Sequence, residues 1–128
     1  MVYYMSKKLA VPFEEAVKKV QQALADQGFG ILTDIDVKAT MKKKLGVDFR
    51  QYRILGACNP PYAHKALTVE DKIGTMLPCN VIVQETQDGS VEVAAIDPVA
   101  SMTAVDNPKL QEVATEIRQK LKTAVGSL

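Results

Sequence analysis

The amino-acid sequence predicts an α+β fold. We expect one domain, residues 1–128, with a mixed or mainly antiparallel sheet of about five strands and helices packed on one face. A chain of 128 residues has the size of one ordinary domain. Short stretches with strand-like alternation occur between stretches with helical apolar spacing. Two of the predicted strands flank Gln87-Asp88-Gly89-Ser90, a turn that indicates a hairpin and therefore antiparallel pairing.

Residues 2–9 form the first predicted strand, and a helix follows from Pro12. Proline suits the first helical position, because its missing N–H has no partner within the helix there. Gly28 can end this helix in a left-handed conformation. The predicted apolar stripe of the helix is Phe13, Ala16, Val17, Val20, Ala23 and Leu24.

Residues 29–37 form the second predicted strand, and Asp36 is expected to cap a short helix that runs to Leu45 and ends at Gly46. The basic run Lys42-Lys43-Lys44 is interpreted as the solvated face of this helix. Strand alternation assigns Ile31, Thr33, Ile35 and Val37 to one face, and Asp34 and Asp36 to the other.

Residues 51–58 form the third predicted strand. Asn59 then reads as a helix cap and Pro60 as the first residue of a helix that runs to about residue 69. A short helical turn is expected near residues 73–77. The predicted hairpin joins residues 80–85 to residues 91–96.

Asp97 is expected to cap the turn that begins at Pro98, and residues 108–125 form the last predicted helix. The apolar stripe of this helix is Leu110, Val113, Ala114, Ile117, Leu121 and Ala124.

A sheet that is covered by helices on one face needs a partner on the other, and a second copy of the chain is the simplest candidate. We therefore expect a homodimer, formed through an apolar sheet face or through the outer edge of the hairpin. A charge at Val83 or Val93 is a candidate for disrupting it, although alternation leaves open which strand face is at the interface.

Composition argues against several classes of protein. The net charge of +1 argues against a general nucleic-acid binder. The sequence shows neither a membrane-spanning apolar run nor a signal peptide, so we expect a cytoplasmic protein. No cofactor is expected, and Gly28-Phe29-Gly30 has too few glycines and the wrong continuation for a phosphate-binding glycine-rich loop.

Two Cys-Asn dipeptides, Cys58-Asn59 and Cys79-Asn80, contain the only cysteines of the chain. The N–H groups of the helix predicted after Cys58 would favour its thiolate, so Cys58 is the candidate nucleophile or redox group. Cys79 begins an apolar strand and is expected to be the more buried thiol. We expect the two cysteines to be neighbours in space and to form a ligand site with Asn59, Asn80 and Asp97.

Several roles remain open for these residues. Both cysteines could be structural, since free cysteine often behaves as a small buried hydrophobe. A disulfide between them is an alternative, and so is a soft-metal site, zinc for example, made by Cys58, His64 and Cys79. Asp97 could act as an acid or base if it lies beside Cys58. The tyrosines Tyr52 and Tyr62 could line the same cleft.

Three stretches carry a resemblance to a known family. They are Gly28-Phe-Gly-Ile-Leu-Thr; Lys44-Leu-Gly-Val-Asp-Phe-Arg-Gln-Tyr-Arg-Ile-Leu-Gly-Ala-Cys-Asn-Pro; and Leu77-Pro-Cys-Asn-Val. Together they resemble the domain-of-unknown-function-302 family, over residues 9–98. The resemblance implies a small α+β domain of bacteria and archaea, found as a homodimer. It implies no activity and no functional residue.

The sequence thus leads to two interpretations of function. The first is a homodimeric module that binds or senses a small ligand in a cleft near the two Cys-Asn dipeptides. The second is a thiol-dependent enzyme or redox protein that uses Cys58, with soft-metal binding as a further alternative. Both use the same few residues, so the sequence does not decide whether the protein is an enzyme.

Overall fold

The computed structural model describes residues 2–128 and contains five strands and five α-helices in that range. A 3₁₀ turn, Asp71–Met76, precedes the fourth strand. The strands are β1 Tyr4–Leu9, β2 Gly30–Asp36, β3 Tyr52–Cys58, β4 Cys79–Glu85 and β5 Val91–Ile96. The helices are α1 Phe13–Asp26, α2 Val37–Leu45, α3 Pro60–Val69, α4 Pro98–Ser101 and α5 Pro108–Gly126. The predicted α+β class and five-stranded sheet are confirmed, and no helix in this range is long and apolar enough to cross a membrane.

The five strands form one sheet in the order β1-β5-β4-β3-β2, and every neighbouring pair is antiparallel. The predicted hairpin of β4 and β5 is therefore confirmed, but it occupies the centre of the sheet. Because β5 pairs with β1 and β4 pairs with β3, the hairpin has no free outer edge. The expectation that this edge could form a dimer contact is wrong.

Helices α1 and α5 pack on one face of the sheet, and both predicted apolar stripes are buried there. Val83 and Val93 face each other across β4 and β5 and are completely buried in this core. A charge at either position would therefore disrupt the core, because an uncompensated buried charge is very unfavourable. These valines are the wrong choice for testing a dimer interface.

The glycines after α1 and α2 and the N-cap of α2 follow the predicted pattern, whereas the start of α1 differs by one residue. Gly28 and Gly46 both adopt positive φ, 87° and 68°, after the two helices. The carboxylate of Asp36 accepts a hydrogen bond of 2.9 Å from the N–H of Ala39 and caps α2. Pro12 is the cap of α1 and not its first helical residue, one position from the prediction.

Strand β2 contains an irregularity that sequence alternation did not predict. Its register shifts between Ile31 and Thr33, which is the signature of a β-bulge. Ile31 consequently pairs with Ala57 on the helix-covered face, whereas Thr33 pairs with Gly56 on the opposite face. The prediction that Ile31 and Thr33 share a face is wrong, and the extra residue, Leu32, is left strongly exposed.

Among residues 2–128, no helix buries the second face of the sheet, which we call the open face. Its central row consists of directly paired residues from four neighbouring strands. The apolar cross-strand partners in that row are Ala94, Ile82, Ile54 and Ile35, and Ser6 on β1 continues the row beside Ala94. A second row, next to it, is polar and comprises Lys8, Glu92, Gln84 and Tyr52.

Candidate functional site

A cleft of about 260 Å³ opens where the ends of β3 and β4 meet α3. We call it the thiol cleft because both cysteines of the chain line it. Its walls are otherwise apolar, except for one asparagine. The lining residues are Phe29, Leu32, Ala57, Cys58, Asn59, Ala63, Leu67, Leu77, Pro78, Cys79 and Ile117.

The strand register brings the two cysteines together. Ala57 on β3 pairs directly with Cys79 on β4, so Cys58 is one residue away from the partner of Cys79. This placement agrees with the prediction that the cysteines are neighbours. Both are free thiols.

The two thiols differ in environment. Cys79 is only 5% exposed, whereas Cys58 is half-buried, as expected from the sequence. Burial raises the pKa of the Cys79 thiol from its ordinary value of 9.0 to about 11, and the neighbouring Cys58 adds to this rise. Cys79 is therefore a neutral, poorly nucleophilic thiol at physiological pH.

Asn59 occupies the cap position of α3, but its side chain does not cap the helix. The amide Nδ2 instead donates a 3.0 Å hydrogen bond to the carbonyl of Gln27, in the turn that follows α1. Asn59 is the one buried polar residue among residues 2–128, and this bond uses one of the two N–H donors of its amide. Its role is to tie the start of α3 to the end of α1, which corrects the predicted capping role.

The start of α3 offers few N–H groups to Cys58. Its first two residues, Pro60 and Pro61, have no backbone N–H. The next two N–H groups, those of Tyr62 and Ala63, both donate to the carbonyl of Asn59, at 3.1 and 2.9 Å. The predicted activation of Cys58 by free helix N–H groups is therefore not supported by the geometry.

His64 and the two candidate tyrosines lie outside the thiol cleft. His64 is exposed on α3, and residues 2–128 contain no group of three His, Cys, Asp or Glu side chains close enough to hold a metal. The ring of Tyr62 faces Lys65 and Lys120, with each Nζ within 6 Å of its centroid. Tyr52 belongs to the open face, where Arg50 lies over its ring.

Asn80 and Asp97 are also separated from the cleft. Asn80 pairs with Gly56 and is exposed on the open face. Asp97 caps α4, as predicted, by accepting a 3.0 Å hydrogen bond from the N–H of Val99. Its other carboxylate oxygen accepts a 3.0 Å hydrogen bond from Nε of Arg118. Of the five residues predicted to bind a ligand, the cleft thus contains Cys58, Asn59 and Cys79 only.

The open face carries a second concavity, which at about 420 Å³ is larger than the thiol cleft. Tyr4, Tyr52 and Asn80 are among its lining residues. A polar chain borders it, in which Nε of Arg50 donates to Gln84, and Gln84 donates to Glu92, each at 2.9 Å. These groups satisfy one another, and the concavity lies on the surface of the sheet.

The sequence interpretation missed the apolar walls of the thiol cleft. Ala63 and Leu67 lie one turn apart on α3 and face the cleft, which is a helical spacing readable from the sequence. Leu32 reaches the cleft because of the bulge in β2, and Phe29 lies just before this strand. No local pattern marks a bulge here, so Leu32 could not be predicted.

Comparison with known proteins identifies the family. The family model described as "Domain of unknown function DUF302" matches residues 5–128. An uncharacterized protein of Aquifex aeolicus (strain VF5) is 27% identical over 125 residues, covering 95% of this chain and 81% of that protein.

A solved structure is also similar. It is the crystal structure of an uncharacterized conserved protein DUF302 from Bacillus stearothermophilus, with a TM-score of 0.91 and 24% identity over 98% of each chain. At that identity the likeness shows the shared fold. The family match covers nearly the whole chain, and the protein therefore belongs to the DUF302 family.

Proposed function

We propose that this domain binds a small molecule in the thiol cleft without transforming it, and that it does so as a homodimer. The observation that carries the proposal is the cleft itself, a concave space of about 260 Å³ with almost wholly apolar walls. Concave, mostly apolar spaces with few polar groups are typical of small-molecule sites in proteins.

The side chains of the cleft support binding more than catalysis. Acid–base catalysis needs a titratable group near the reacting atoms, with a pKa close to the working pH. The pKa of Cys79 is about 11, well above that range. The amide of Asn59 does not titrate at working pH, and its nitrogen already donates to the carbonyl of Gln27. Cys58 thus lacks, in the walls of its own cleft, a partner that could take its proton.

A fragment screen by protein-observed NMR tests the binding proposal. Small molecules that bind should shift the amide signals of Cys58, Ala63 and Leu67. The Ala63→Trp variant should abolish these shifts, because the indole fills the cleft. Lys65→Trp is the matched control, since it adds the same ring on the exposed side of α3.

The screen can also contradict the proposal. If no fragment shifts the cleft amides, or if Ala63→Trp and Lys65→Trp bind fragments equally, the cleft is not a binding site. A bound fragment that is chemically converted by the wild type, and not by Cys58→Ala, would favour the thiol enzyme instead.

The open face supports the homodimer. Its apolar row, with Ile82 and Ile54 at the centre, is bordered by the polar row that includes Glu92 and Gln84. An apolar centre with a polar border is the usual anatomy of a protein interface. Two copies of one face can pack symmetrically, with sheets stacked about 10 Å apart.

Sedimentation of an open-face variant tests the dimer. Ile82→Asp should sediment as a monomer at micromolar concentration, because pairing through the open face would bury two unpartnered carboxylates. The control is Gln119→Asp, which adds the same charge on the exposed side of α5, beyond the opposite face of the sheet. A wild-type monomer, or a dimeric Ile82→Asp variant, would contradict this interface.

A further inference from the structure

We infer that the thiol cleft takes a small, uncharged, apolar molecule about the size of one aromatic ring. This inference rests on the proposed function and names its ligand class. Three properties of the cleft lead to it: the volume, the charge of its walls, and the leucines at its mouth.

The volume sets the size of the ligand. An apolar cavity of about 150 Å³ is enough to hold benzene, whereas sites for drug-sized ligands begin near 300 Å³. The thiol cleft, at about 260 Å³, lies between these values. It therefore suits a molecule of one ring with a short substituent, and it is too small for a nucleotide or a coenzyme.

The walls determine the charge of the ligand. None of the residues that line the cleft is a lysine, arginine, histidine, aspartate or glutamate. A buried carboxylate or phosphate would find no cation there, and a buried amine would find no anion. Burial of an unpaired charge is very unfavourable, so the cleft discriminates against charged molecules. The nitrogen of the Asn59 amide donates to the carbonyl of Gln27, and no other side chain in the walls carries an amide or a hydroxyl.

The mouth of the cleft explains why an apolar ligand would bind. Leu32, in the bulge of β2, is 66% exposed, and Leu67, on α3, is 45% exposed. Both side chains line the cleft. An apolar ligand would remove part of their surface from water, which is the main driving force for apolar association.

Three probes that share one ring test the inference: toluene, benzoate and benzylammonium. The readout is the rate at which iodoacetamide alkylates Cys58, measured by mass spectrometry. Toluene at ten times its dissociation constant should slow this rate about tenfold, because only unoccupied protein reacts. The dissociation constants of benzoate and benzylammonium should be at least about tenfold higher than that of toluene. Ala63→Trp should lose the protection by toluene, and Lys65→Trp should keep it.

The outcomes distinguish a wrong ligand class from a wrong proposed function. If toluene alone protects Cys58, and if Ala63→Trp loses this protection, the result supports both the uncharged ligand class and the proposed binding function. Protection by benzoate or benzylammonium that equals or exceeds that by toluene would overturn the uncharged class, while the binding function would stand. If toluene neither protects Cys58 nor shifts the cleft amides, the inference is wrong, and a fragment screen with no cleft binder would then overturn the proposed function as well.

Discussion

Cys58 and Cys79 have the same following residue but different chemistry, because the sheet places them differently. Cys79 begins a central strand and points to the helix-covered face, so its thiol loses water and its pKa rises. Cys58 ends its strand and stays half-buried at the cleft. Desolvation, which disfavours the thiolate, is the larger cause of the raised pKa of Cys79.

Native alkylation is predicted to label Cys58 first. At pH 7.5, a pKa of about 11 in place of 9.0 lowers the thiolate fraction of Cys79 about hundredfold, and burial slows the reagent further. Iodoacetamide followed by peptide mass spectrometry should therefore find Cys79 labelled more slowly than Cys58 in the folded protein. Protein unfolded in urea is the control, in which both cysteines should react at similar rates. Labelling of Cys79 before Cys58 would contradict the assignment.

The raised pKa of the Cys79 thiol also makes the stability of the fold depend on pH. The folded state keeps the Cys79 thiol neutral, so its pKa is higher in the folded protein than in the unfolded chain. The neutral Cys79 thiol therefore contributes fully to the free energy of unfolding below pH 9, and this contribution is lost as the pH rises toward about 11. Urea denaturation between pH 8.5 and 11 should show that the free energy of unfolding falls more steeply with pH for the wild type than for Cys79→Ala. Equal dependence on pH in the two proteins would contradict this.

Helix α3 shows how an element acquires a role from a distant partner. Its cap residue, Asn59, bonds across 32 positions of sequence to Gln27, and so joins α3 to the turn after α1. This bond supports one wall of the cleft. A local rule predicts a cap from an Asn-Pro pair, and it cannot detect a competing acceptor so far away in the chain.

Exchanging the amide for a carboxylate distinguishes the two roles of Asn59. Asn and Asp are equally good caps, so a capping residue would tolerate Asn59→Asp. A residue that donates to the Gln27 carbonyl would not, and we predict a loss of about 2–3 kcal/mol in the free energy of unfolding. Asp36→Asn is the control, because Asp36 does cap α2 and either side chain can accept from Ala39. An Asn59→Asp variant whose free energy of unfolding is almost unchanged would contradict the proposed role of the hydrogen bond to Gln27.

Element positions were largely readable from the sequence, and side-chain placement was less so. The bounds of α3 and β5 agree with the prediction, because prolines and a turn mark them. The second proline, Pro61, was visible too, and it already implied a missing N–H beside Cys58. Asn80 was misplaced because a Cys-Asn pair on a strand necessarily directs its two side chains to opposite faces.

At the scale of the whole molecule, the proposed ligand site and the proposed dimer contact lie on different parts of the sheet. The thiol cleft lies within one chain, at the end of β3 and β4 beside α3. The proposed dimer contact is the centre of the open face, around Ile82. The proposed site therefore needs no residue from a second copy, whereas the sequence left open a site between subunits.

This separation predicts that dissociation leaves the cleft intact. The monomeric Ile82→Asp variant should alkylate Cys58 at the wild-type rate, within about twofold, and should be protected by toluene to the same extent. The wild type diluted below its dimer dissociation constant provides a control without any substitution. A large change in the Cys58 rate on dissociation would place the site between subunits instead.

The most direct measurement of the central claim is a crystal structure of the wild-type protein under xenon pressure. Xenon binds apolar cavities, whereas polar cavities of similar size hold ordered water. We predict xenon in the thiol cleft, between Ala63 and Leu67 on one side and Cys79 on the other. Ordered waters that bridge polar groups in the cleft, with no xenon there, would contradict an apolar ligand site.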